Sequence, residues 1–433
     1  MQNGFTIKVW NSKELPVDWH RRQQADPKAT EELENSVQAI INQVKAEGDA
    51  ALMEFALKFD KAELSQRALR VKPTEIKEAY SKTGPEQISA LKFMQEKVCN
   101  FQKQLLTQTD IKTASDGISV QTVLRPIESV GCYVPGGQAT YPSTLVMTAV
   151  PAKVAGVPRI VVCSPSDAKG KVNPLVLVAA DICGVDEVYK VGGAQSIAAL
   201  AYGTRTIAPV SKIVGPGSKY VTEAKVLVSN DVAIDMPAGP SEVLVLADDC
   251  ADARLIAYDM VSQAEHGGDS VAGLITTSEK VALQVQENLQ QVTASAQRGE
   301  KISEALAKYG FIIVCSSMEA AIGLVNQFAA EHLEVMTANP KEVAEKLTAG
   351  LILIGPYSPV ALSDYGSGTN HVLPTGGFAR SFSGLSALDF MRRVSIVEST
   401  RMGLERVKDS IKVLTEAENL PNHYKAIQAR LVK

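Results

Sequence analysis

The sequence has no strong excess of either charge and no long apolar run. Its 433 residues carry 44 lysines and arginines against 48 aspartates and glutamates, which excludes the basic surface of a nucleic-acid-binding protein. Its most apolar segments, "LVMTAVPAKVAGV" and "GLILIG", are interrupted by proline, lysine or glycine well short of a membrane span. The first residues, "MQNGFTIKVWNSKELP", lack the basic region and apolar core of a signal peptide. We therefore expect a cytoplasmic protein.

Cysteine is scarce and scattered along the chain. No C-x-x-C pair occurs, so a cysteine-based zinc ribbon and a dithiol redox motif are both excluded. Several cysteines close apolar segments such as "IVVCS" and "FIIVCS", which predicts reduced thiols in the core. The six residues are Cys99, Cys132, Cys163, Cys183, Cys250 and Cys315.

The apolar residues that are present change their pattern along the chain. From about residue 29 to 110 they recur every three or four residues, as in helices. From about 118, short apolar runs end in glycine-rich turns that lead into helices, which predicts parallel sheets covered on both faces. We predict an α/β fold with two Rossmann-like parallel-sheet domains around a cleft, an N-terminal arm and a helical C-terminal tail.

The change of pattern also sets the expected domain boundaries. The arm comprises residues 1–24, and the tail comprises residues 385–433, which we expect to contact a partner subunit. One α/β domain comprises residues 131–239. The other is discontinuous: it combines residues 25–130 with residues 240–384, and we expect it to carry most of the active site.

Three glycine-rich turns follow predicted strands in the domain of 131–239. They are "YVPGGQATYPS" (133–143), "VGGAQS" (191–196) and "VGPGSK" (214–219). Glycine lets the backbone approach a ligand, and the helix N-terminus that follows favours an anion such as a pyrophosphate. The G-x-G-x-x-G fingerprint is absent, so each turn alone is more typical of a tight connection. Three such turns at the carboxyl ends of parallel strands favour a ligand.

Histidine is also scarce, and its spacing gives only a weak metal signal. The H-E-x-x-H motif is absent among the five histidines. Gln263 and His266 are three residues apart at a predicted helix end and so share a face. Zinc would need further ligands, for which Asp364 and His423 are candidates because carboxylate and imidazole both bind zinc. The alternative is that His266 interacts only with the helix dipole.

A long polar loop, "LSDYGSGTNHVLPTGG", follows the last apolar strand. Asp364 and His371 lie seven residues apart in it, among several glycines. A loop of this kind at a sheet edge is either a mobile connection or a binding loop. The pattern leaves both interpretations open.

An acid and a histidine are adjacent in "NQFAAEHLEV", residues 326–335. A capping box at Ser316 and Glu319 predicts the start of the preceding helix, and we expect Glu331 and His332 in its last turn. Consecutive helical side chains diverge by about 100°, so the two cannot form a hydrogen-bonded dyad through regular helix geometry, but both can project into one cleft. The alternative is that His332 caps carbonyl groups and Glu331 is solvated, although the dipole disfavours a carboxylate there by roughly 0.3–1 kcal/mol.

Taken together, these segments resemble the histidinol dehydrogenase family of the histidine-biosynthesis pathway. The resemblance implies an NAD-dependent, zinc-containing homodimer that oxidises L-histidinol to L-histidine in two hydride transfers, through an aldehyde that is not released. The domain of 131–239 would then bind NAD. The motifs that carry the resemblance run in the family's order over about 120 to 430: "YVPGG", "GGAQSIAALAYGT", "KIVGPGSKYVTEAK", "IDMPAGPSEVLV", "SQAEHG", "AAEHLE", "SDYGSGTNHVLPTGG" and "ENLPNHYKAI".

The resemblance also implies roles for individual residues. The general base falls on His332 and the water-activating acid on Glu331. The family usually reads G-P-G-N where this sequence reads "GPGS" at 215–218, so the amide donor toward NAD is lost. By position, the zinc ligands fall on Gln263, His266, Asp364 and His423; further substrate contacts fall on Ser241, His371 and Glu418; and NAD contacts fall on Tyr133, Gln195 and Ser218. In the family, His423 and Glu418 would come from the partner subunit's tail.

The implied chemistry suits these residue types. An imidazole titrates near neutrality and can remove the hydroxyl proton, a carboxylate can activate the water that hydrates the aldehyde, and zinc can orient the substrate. A thiohemiacetal on Cys132 is disfavoured, since no base or cation adjoins this residue in sequence. Three alternatives stay open: a solute-binding protein with two α/β domains, a zinc hydrolase that uses Glu331, and a zinc- and NAD-dependent dehydrogenase of a related amino alcohol.

Overall fold

The computed structural model describes residues 5–20, 27–107, 111–136, 140–236 and 239–432. Within these ranges the strands are β1 (Lys8–Asn11), β2 (Ile111–Ser115), β3 (Ile118–Pro126), β4 (Ser129–Tyr133), β5 (Arg159–Cys163), β6 (Glu187–Tyr189), β7 (Lys212–Val214), β8 (Ala233–Ile234), β9 (Glu242–Ala247), β10 (Val271–Thr276), β11 (Phe311–Val314), β12 (His332–Met336), β13 (Leu351–Ile354) and β14 (Met391–Ser399). The α-helices are α1 (Pro27–Glu47), α2 (Asp49–Phe55), α3 (Pro73–Ser81), α4 (Pro85–Leu106), α5 (Pro142–Val154), α6 (Pro174–Ile182), α7 (Gly193–Tyr202), α8 (Lys219–Val228), α9 (Ala253–Ala264), α10 (Glu279–Ser295), α11 (Gly299–Tyr309), α12 (Met318–Phe328), α13 (Pro340–Ala344), α14 (Val360–Tyr365), α15 (Arg401–Ala417) and α16 (Pro421–Leu431).

The first parallel sheet has five strands in the order β6-β5-β4-β7-β8. Its strands are short and apolar, and every residue of β4 is buried. Cys132 packs with α3 to α6 on one face, whereas the adjacent Tyr133 packs with α1, α2, α7 and α8 on the other, because successive strand side chains alternate. The predicted parallel sheet covered on both faces is confirmed.

The helices of the first quarter belong to this five-stranded sheet. Helix α1 contacts α7 and α8, α3 contacts α6, and α4 contacts α5. This packing differs from the predicted grouping of residues 25–130 with residues 240–384. The apolar stripe of an amphipathic helix shows that a face is buried but carries no information about which sheet covers it. The helical content was predictable for that reason, and the partner was not.

The second parallel sheet has six strands in the order β1-β11-β10-β9-β12-β13. Helices α9 to α11 pack on one face together with Met336 of β12, and α12 packs on the other together with Leu333. Residues 8–11, predicted to lie in the arm, form the edge strand β1 parallel to β11. The strand, "KVWN", is too short for its alternation to have distinguished it from an arm.

The C-terminal tail combines an antiparallel sheet with two helices. Strand β14 pairs with β3, and β3 pairs with β2. The predicted tail of residues 385–433 therefore begins with a short 3-10 helix (Ala387–Phe390) and β14, and it is α-helical only from Arg401 onward. Helix α15 packs on α16, which has no buried residue. The exposed apolar side chains in the tail include Val397, Val413 and Leu414. None of the described helices is long and apolar enough to cross a membrane.

Candidate active site

A cavity of about 790 Å³ lies between the two parallel-sheet domains. The five-stranded sheet contributes the turns that follow the carboxyl ends of β4 and β7. The six-stranded sheet contributes residues at the amino ends of β9 and β12, together with the C-terminal end of α9. Eight of the residues expected from the sequence line this cavity: Ser218, Ser241, Gln263, His266, Glu331, His332, Asp364 and His371.

The acid–histidine pair lies at the start of a strand, not in the last turn of a helix. Helix α12 ends at Phe328, and Ala329 caps it with a left-handed φ of 50°. The chain then enters β12, which pairs with β9 and β13 from His332 onward. The prediction of a helical pair was therefore wrong, because strand pairing within the sheet fixes these residues. The helix also begins one residue later than expected, with Ser317 as its N-cap.

Glu331 is held by a reciprocal pair of hydrogen bonds with the neighbouring strand. Its Oε2 accepts from the backbone N–H of Glu242 at 2.7 Å, and Glu242 Oε2 accepts from the backbone N–H of Glu331 at 3.3 Å. Glu242 Oε1 accepts from Gly376 N–H at 2.9 Å, which ties the polar loop to the same point. Both carboxyl groups are buried. The orientation of Glu331 is thus set by backbone donors, which do not titrate.

His332 is buried with one ring nitrogen held and the other directed at an acid. Its Nδ1 lies 3.3 Å from the carbonyl oxygen of Glu242, so the neutral ring keeps its proton on Nδ1 and donates it there. Its Nε2 has no hydrogen-bond partner among the described residues and lies 3.7 Å from Asp364 Oδ1. Burial alone would lower the pKa of His332, but the Glu331 carboxylate 3.6 Å away and the Asp364 carboxylate outweigh burial and raise it.

Asp364 lies between two imidazoles. Its Oδ1 is 3.7 Å from His332 Nε2 and 3.8 Å from His371 Nδ1, and it has no hydrogen-bond partner among the described residues. Burial lowers the pKa of His371, and its Nε2 lies 3.5 Å from the Thr144 hydroxyl. These separations are too long for hydrogen bonds, so the Asp364 oxygen stays available to a ligand in the cavity.

The expected zinc ligands are only partly brought together. Gln263, His266 and Asp364 line the same cavity, and their oxygen and nitrogen donors suit zinc. His423 is exposed on α16 and does not line the cavity, and the same is true of Glu418 at the end of α15. Accordingly, no group of three or more His, Cys, Asp or Glu side chains in the described part of the chain is arranged as a metal centre. The unpartnered Asp364 oxygen and the Gln263–His266 pair could therefore supply three of the four ligands of a zinc ion, and the fourth ligand would have to come from elsewhere.

The residues expected to contact NAD lie at or just after the carboxyl ends of strands in the five-stranded sheet. Tyr133 and Gln195 are buried, and the Tyr133 hydroxyl accepts from the backbone N–H of Gly193 at 3.2 Å. Ser218 lines the cavity as the N-cap of α8, and its side chain forms no cap hydrogen bond. Gly215 has a φ of +114°, and a Cβ there would collide with the Tyr133 carbonyl oxygen. The glycine in this turn is thus already required by packing. Residues 137–139 of the first glycine-rich turn lie outside the described residues.

A functional role for Cys132 is disfavoured by its surroundings. The thiol is completely buried in the core, and burial raises its pKa to about 12. A thiol that stays protonated at neutral pH is a poor nucleophile.

Sequence reasoning missed Glu242. It begins β9, "EVLVLA", whose six residues are all buried. An acid within an otherwise apolar, fully buried strand requires partners, and that mismatch was the available signal. Its partners, the backbone N–H groups of Glu331 and Gly376, come from distant segments and could not be deduced from spacing.

Comparisons with known proteins agree on one family. The family model for histidinol dehydrogenase matches residues 22–431. The chain is 44% identical over 403 residues to the histidinol dehydrogenase of Methanocaldococcus jannaschii, covering 93% of each chain, and 45% identical over 404 residues to that of Clostridium acetobutylicum, again covering 93% of each. The crystal structure of histidinol dehydrogenase from Elizabethkingia anophelis superposes with a TM-score of 0.92 at 36% identity, covering 99% of both chains.

Proposed function

The chain belongs to the histidinol dehydrogenase family, and we propose that it oxidises L-histidinol to L-histidine as the last step of histidine biosynthesis. Two successive oxidations would pass through an aldehyde that stays bound. The observation that carries this proposal is the gathering of Glu331, His332, Asp364 and His371 around one cleft that also reaches Ser218. Oxidation of an alcohol requires a base for the hydroxyl proton and a cofactor that accepts the hydride, and it requires no covalent bond to the protein.

Two bound groups complete the proposed site. NAD, when bound against the turn at 215–218, would accept a hydride in each oxidation. Zinc, when bound by Gln263, His266 and Asp364 with His423, would orient the nitrogen donors of the substrate. Ser241 and His371, which line the same cavity, would contact the substrate.

His332 is the proposed general base. Nδ1 donates to the Glu242 carbonyl group, so the lone pair of Nε2 is available to take the proton from the carbinol hydroxyl. The imidazolium that forms is stabilised by the carboxylates of Glu331 and Asp364, 3.6 and 3.7 Å away. The same carboxylates keep the ring in one orientation between turnovers.

Glu331 is the proposed activator of water. The aldehyde must be hydrated before its carbon can be oxidised again. A carboxylate fixed by the backbone N–H of Glu242 can accept a proton from water with little reorganisation. Glu331 and His332 thus act at different steps, and their 3.6 Å separation, longer than a hydrogen bond, fits independent roles.

Product stoichiometry tests the proposed reaction. Zinc-loaded protein supplied with L-histidinol is expected to form about two NADH per histidine, the ratio set by an alcohol-to-acid oxidation. A ratio of one would contradict the two-step reaction, and a failure to reduce NAD would contradict the whole assignment. A panel of related amino alcohols, run with and without a chelator, separates histidinol from other substrates.

The base assignment has its own test. His332→Ala is expected to lower kcat by roughly 10²–10⁴-fold, the usual contribution of a general base. His20→Ala, at a histidine on the N-terminal segment away from the cavity, is the matched control and should leave kcat unchanged. An unaffected rate in His332→Ala would remove this residue from the mechanism.

A homodimer with exchanged tails is part of the proposal. His423 and Glu418 are exposed and do not line the cavity of their own chain, and Glu418 would bind the substrate ammonium group from the partner subunit. Mixing inactive His266→Ala and His423→Ala subunits should then restore one complete site per heterodimer. With subunit exchange demonstrated, the absence of rescue would place His423 in the site of its own chain.

A further inference from the structure

Two acidic side chains, one buried and one half-buried, lie close together without lining the cavity. Glu334 lies in β12, two residues after His332, and is only 1% exposed. Asp259 lies in α9, one turn before Gln263. The two carboxyl groups are close enough to interact directly, so that one can hydrogen-bond the other once a proton is present. Neither residue has a role in the chemistry proposed above.

The contact between these acids needs a proton. Glu334 Oε1 accepts from the backbone N–H of Val360 at 3.0 Å, and Oε2 finds no donor among the described residues. Two carboxylates are both acceptors, so a hydrogen bond between them requires that one be protonated. Burial first, and the neighbouring Asp259 second, raise the pKa of Glu334 well above its usual range. Like charges this close and this deep cannot both ionise at low cost.

The pair joins three elements that carry site residues. Asp259 is on α9, which ends near Gln263 and His266. Glu334 shares a strand face with His332, because residues two apart in a strand point the same way. Through Val360, Glu334 also caps α14, the helix that carries Asp364.

Helix α14 depends on this cap. It spans only Val360–Tyr365, and its own N-cap, Pro359, supplies no side-chain hydrogen bond. A helix this short is not stable alone, so tertiary contacts must hold it. An acidic side chain at the N-terminus meets an unsatisfied N–H and the positive end of the dipole.

We propose that Asp259 and Glu334 are positioning residues that share one proton and thereby hold α9, β12 and α14 in the arrangement that aligns Gln263, His332 and Asp364. The consequence for catalysis rests on the proposed oxidation of histidinol. The connection of α9, β12 and α14 through these two acids, which we call the tie, does not rest on that function.

Two substitutions of Glu334 separate hydrogen bonding from packing. In Glu334→Gln the amide NH₂ replaces the shared proton toward Asp259, and the amide oxygen still accepts from Val360. In Glu334→Leu both hydrogen bonds are lost at nearly the same volume. Met336→Leu, on the same face of β12 and also buried, is the matched control because it changes packing alone.

Three measurements apply to each variant: zinc affinity by competition with a chelating dye, hydrogen exchange of the Val360 amide, and kcat with both KM values. Glu334→Leu should lose about 10–100-fold in zinc affinity, the usual effect of removing an outer partner of a metal site. Its Val360 amide should exchange at least about tenfold faster, and kcat should fall while KM for NAD stays unchanged. Glu334→Gln and Met336→Leu should remain within about threefold of the unmodified protein, less than 1 kcal/mol.

Each result decides a part of the proposal. Unchanged zinc affinity and Val360 exchange in Glu334→Leu would overturn the tie. A loss in Glu334→Gln as large as in Glu334→Leu would overturn the shared proton. If Glu334→Leu does not fold, Asp259→Leu against Asp259→Asn makes the same comparison from α9. Failure of the unmodified protein to oxidise histidinol, with zinc binding that still depends on Glu334, would reject the proposed function and leave the tie standing.

Discussion

The cleft meets its two sheets at opposite ends. The five-stranded sheet presents the carboxyl ends of β4 and β7 and the N-terminus of α8 at Ser218, whereas the six-stranded sheet presents the amino ends of β9 and β12 and the C-terminal end of α9. Helix N-termini favour anions and C-terminal ends favour cations. The side formed by the five-stranded sheet therefore suits a phosphate-bearing cofactor, and we call it the cofactor wall. The side formed by the six-stranded sheet suits a metal and proton transfer, and we call it the catalytic wall after this proposed role.

The two walls also bury ionisable groups in different ways. Under the five-stranded sheet, Lys225 forms an ion pair with Asp235, donates to the Gly215 carbonyl oxygen at 3.0 Å, and is only 2% exposed. Asp235 in turn accepts from Gly215 N–H at 2.7 Å. Opposite charges compensate each other there without an added proton, whereas Asp259 and Glu334 under the other sheet need one. The unfolding free energy should therefore depend on pH through the acid pair of the catalytic wall. It should depend on the loss of one charged side chain at the ion pair of the cofactor wall.

The largest expected effect is the loss of the buried cation. Lys225→Met leaves Asp235 buried without its countercharge and should cost about 3–5 kcal/mol in unfolding free energy. Urea denaturation followed by circular dichroism measures this. Lys346→Met breaks an ion pair with Glu342 whose side chains are 57% and 69% exposed, and it should cost under about 1 kcal/mol. Equal losses in the two variants would show that burial does not distinguish them.

The contrast between the walls explains what the sequence could reveal. Turns at 191–196 and 214–219 follow strands, as the carboxyl-end rule expects, and the second of them lines the cleft. The position of that turn was therefore predictable from glycine spacing, whereas its contact with NAD stays a prediction. Glu331 and His332 lie at the amino end of β12, and no such rule applies at amino ends. Their residue types signalled chemistry, but "NQFAAEH" has helical periodicity up to the left-handed Ala329, which is why the expected helix ran too far.

Long-range partners were the other limit. Two arrangements join segments far apart in sequence: the covering of the five-stranded sheet by α1 to α4, and the pairing of β1 with β11. Local patterns specify that a face is buried, and tertiary packing chooses its partner. The contacts of Glu242 with Glu331 and Gly376 have the same origin.

The next effect is a pH dependence under the catalytic wall. Burial raises the pKa of Asp259 from its ordinary 3.8 to about 6. Between these values the folded protein binds more protons than the unfolded chain, so unfolding free energy falls as pH rises from about 4 to above 6. Asp259→Asn removes this contribution. The difference in stability between pH 4.5 and pH 7 should shrink by about 1–3 kcal/mol in the variant, measured by urea denaturation at both pH values.

The control for this pH dependence is Asp252→Asn, at the exposed N-cap of the same helix. Asn is as good an N-cap as Asp, so the capping hydrogen bond survives. An Asp259→Asn protein whose stability still falls as steeply with pH as the unmodified protein would show that this carboxyl does not retain its proton.

A smaller effect concerns the orientation of Glu331. Glu242 accepts from two backbone N–H groups through different oxygens, and Glu242→Gln offers an oxygen to only one of them. We expect kcat to fall about tenfold, equivalent to about 1.4 kcal/mol, with KM for NAD unchanged. Glu287→Gln, exposed on α10, is the matched control. A rise in KM for NAD with an unchanged kcat would mean that Glu242 serves the cofactor wall.

The smallest effect lies on the cofactor wall, at Ser218. The side chain lines the cavity and makes no cap hydrogen bond, so replacing it does not remove a contact that holds α8. Ser218→Asn restores the amide found in the family's usual G-P-G-N and can add one neutral hydrogen bond to NAD, worth about 0.5–1.5 kcal/mol. KM for NAD should therefore fall between about twofold and tenfold, with kcat and the unfolding free energy unchanged.

Ser218→Ala is the comparison: if its KM for NAD equals that of the unmodified protein, the serine hydroxyl contributes nothing, and the whole gain in Ser218→Asn comes from the amide. A change in kcat instead of KM in Ser218→Asn would contradict the division of labour between the walls, because a residue at the carboxyl ends of the five-stranded sheet would then act on the chemical step.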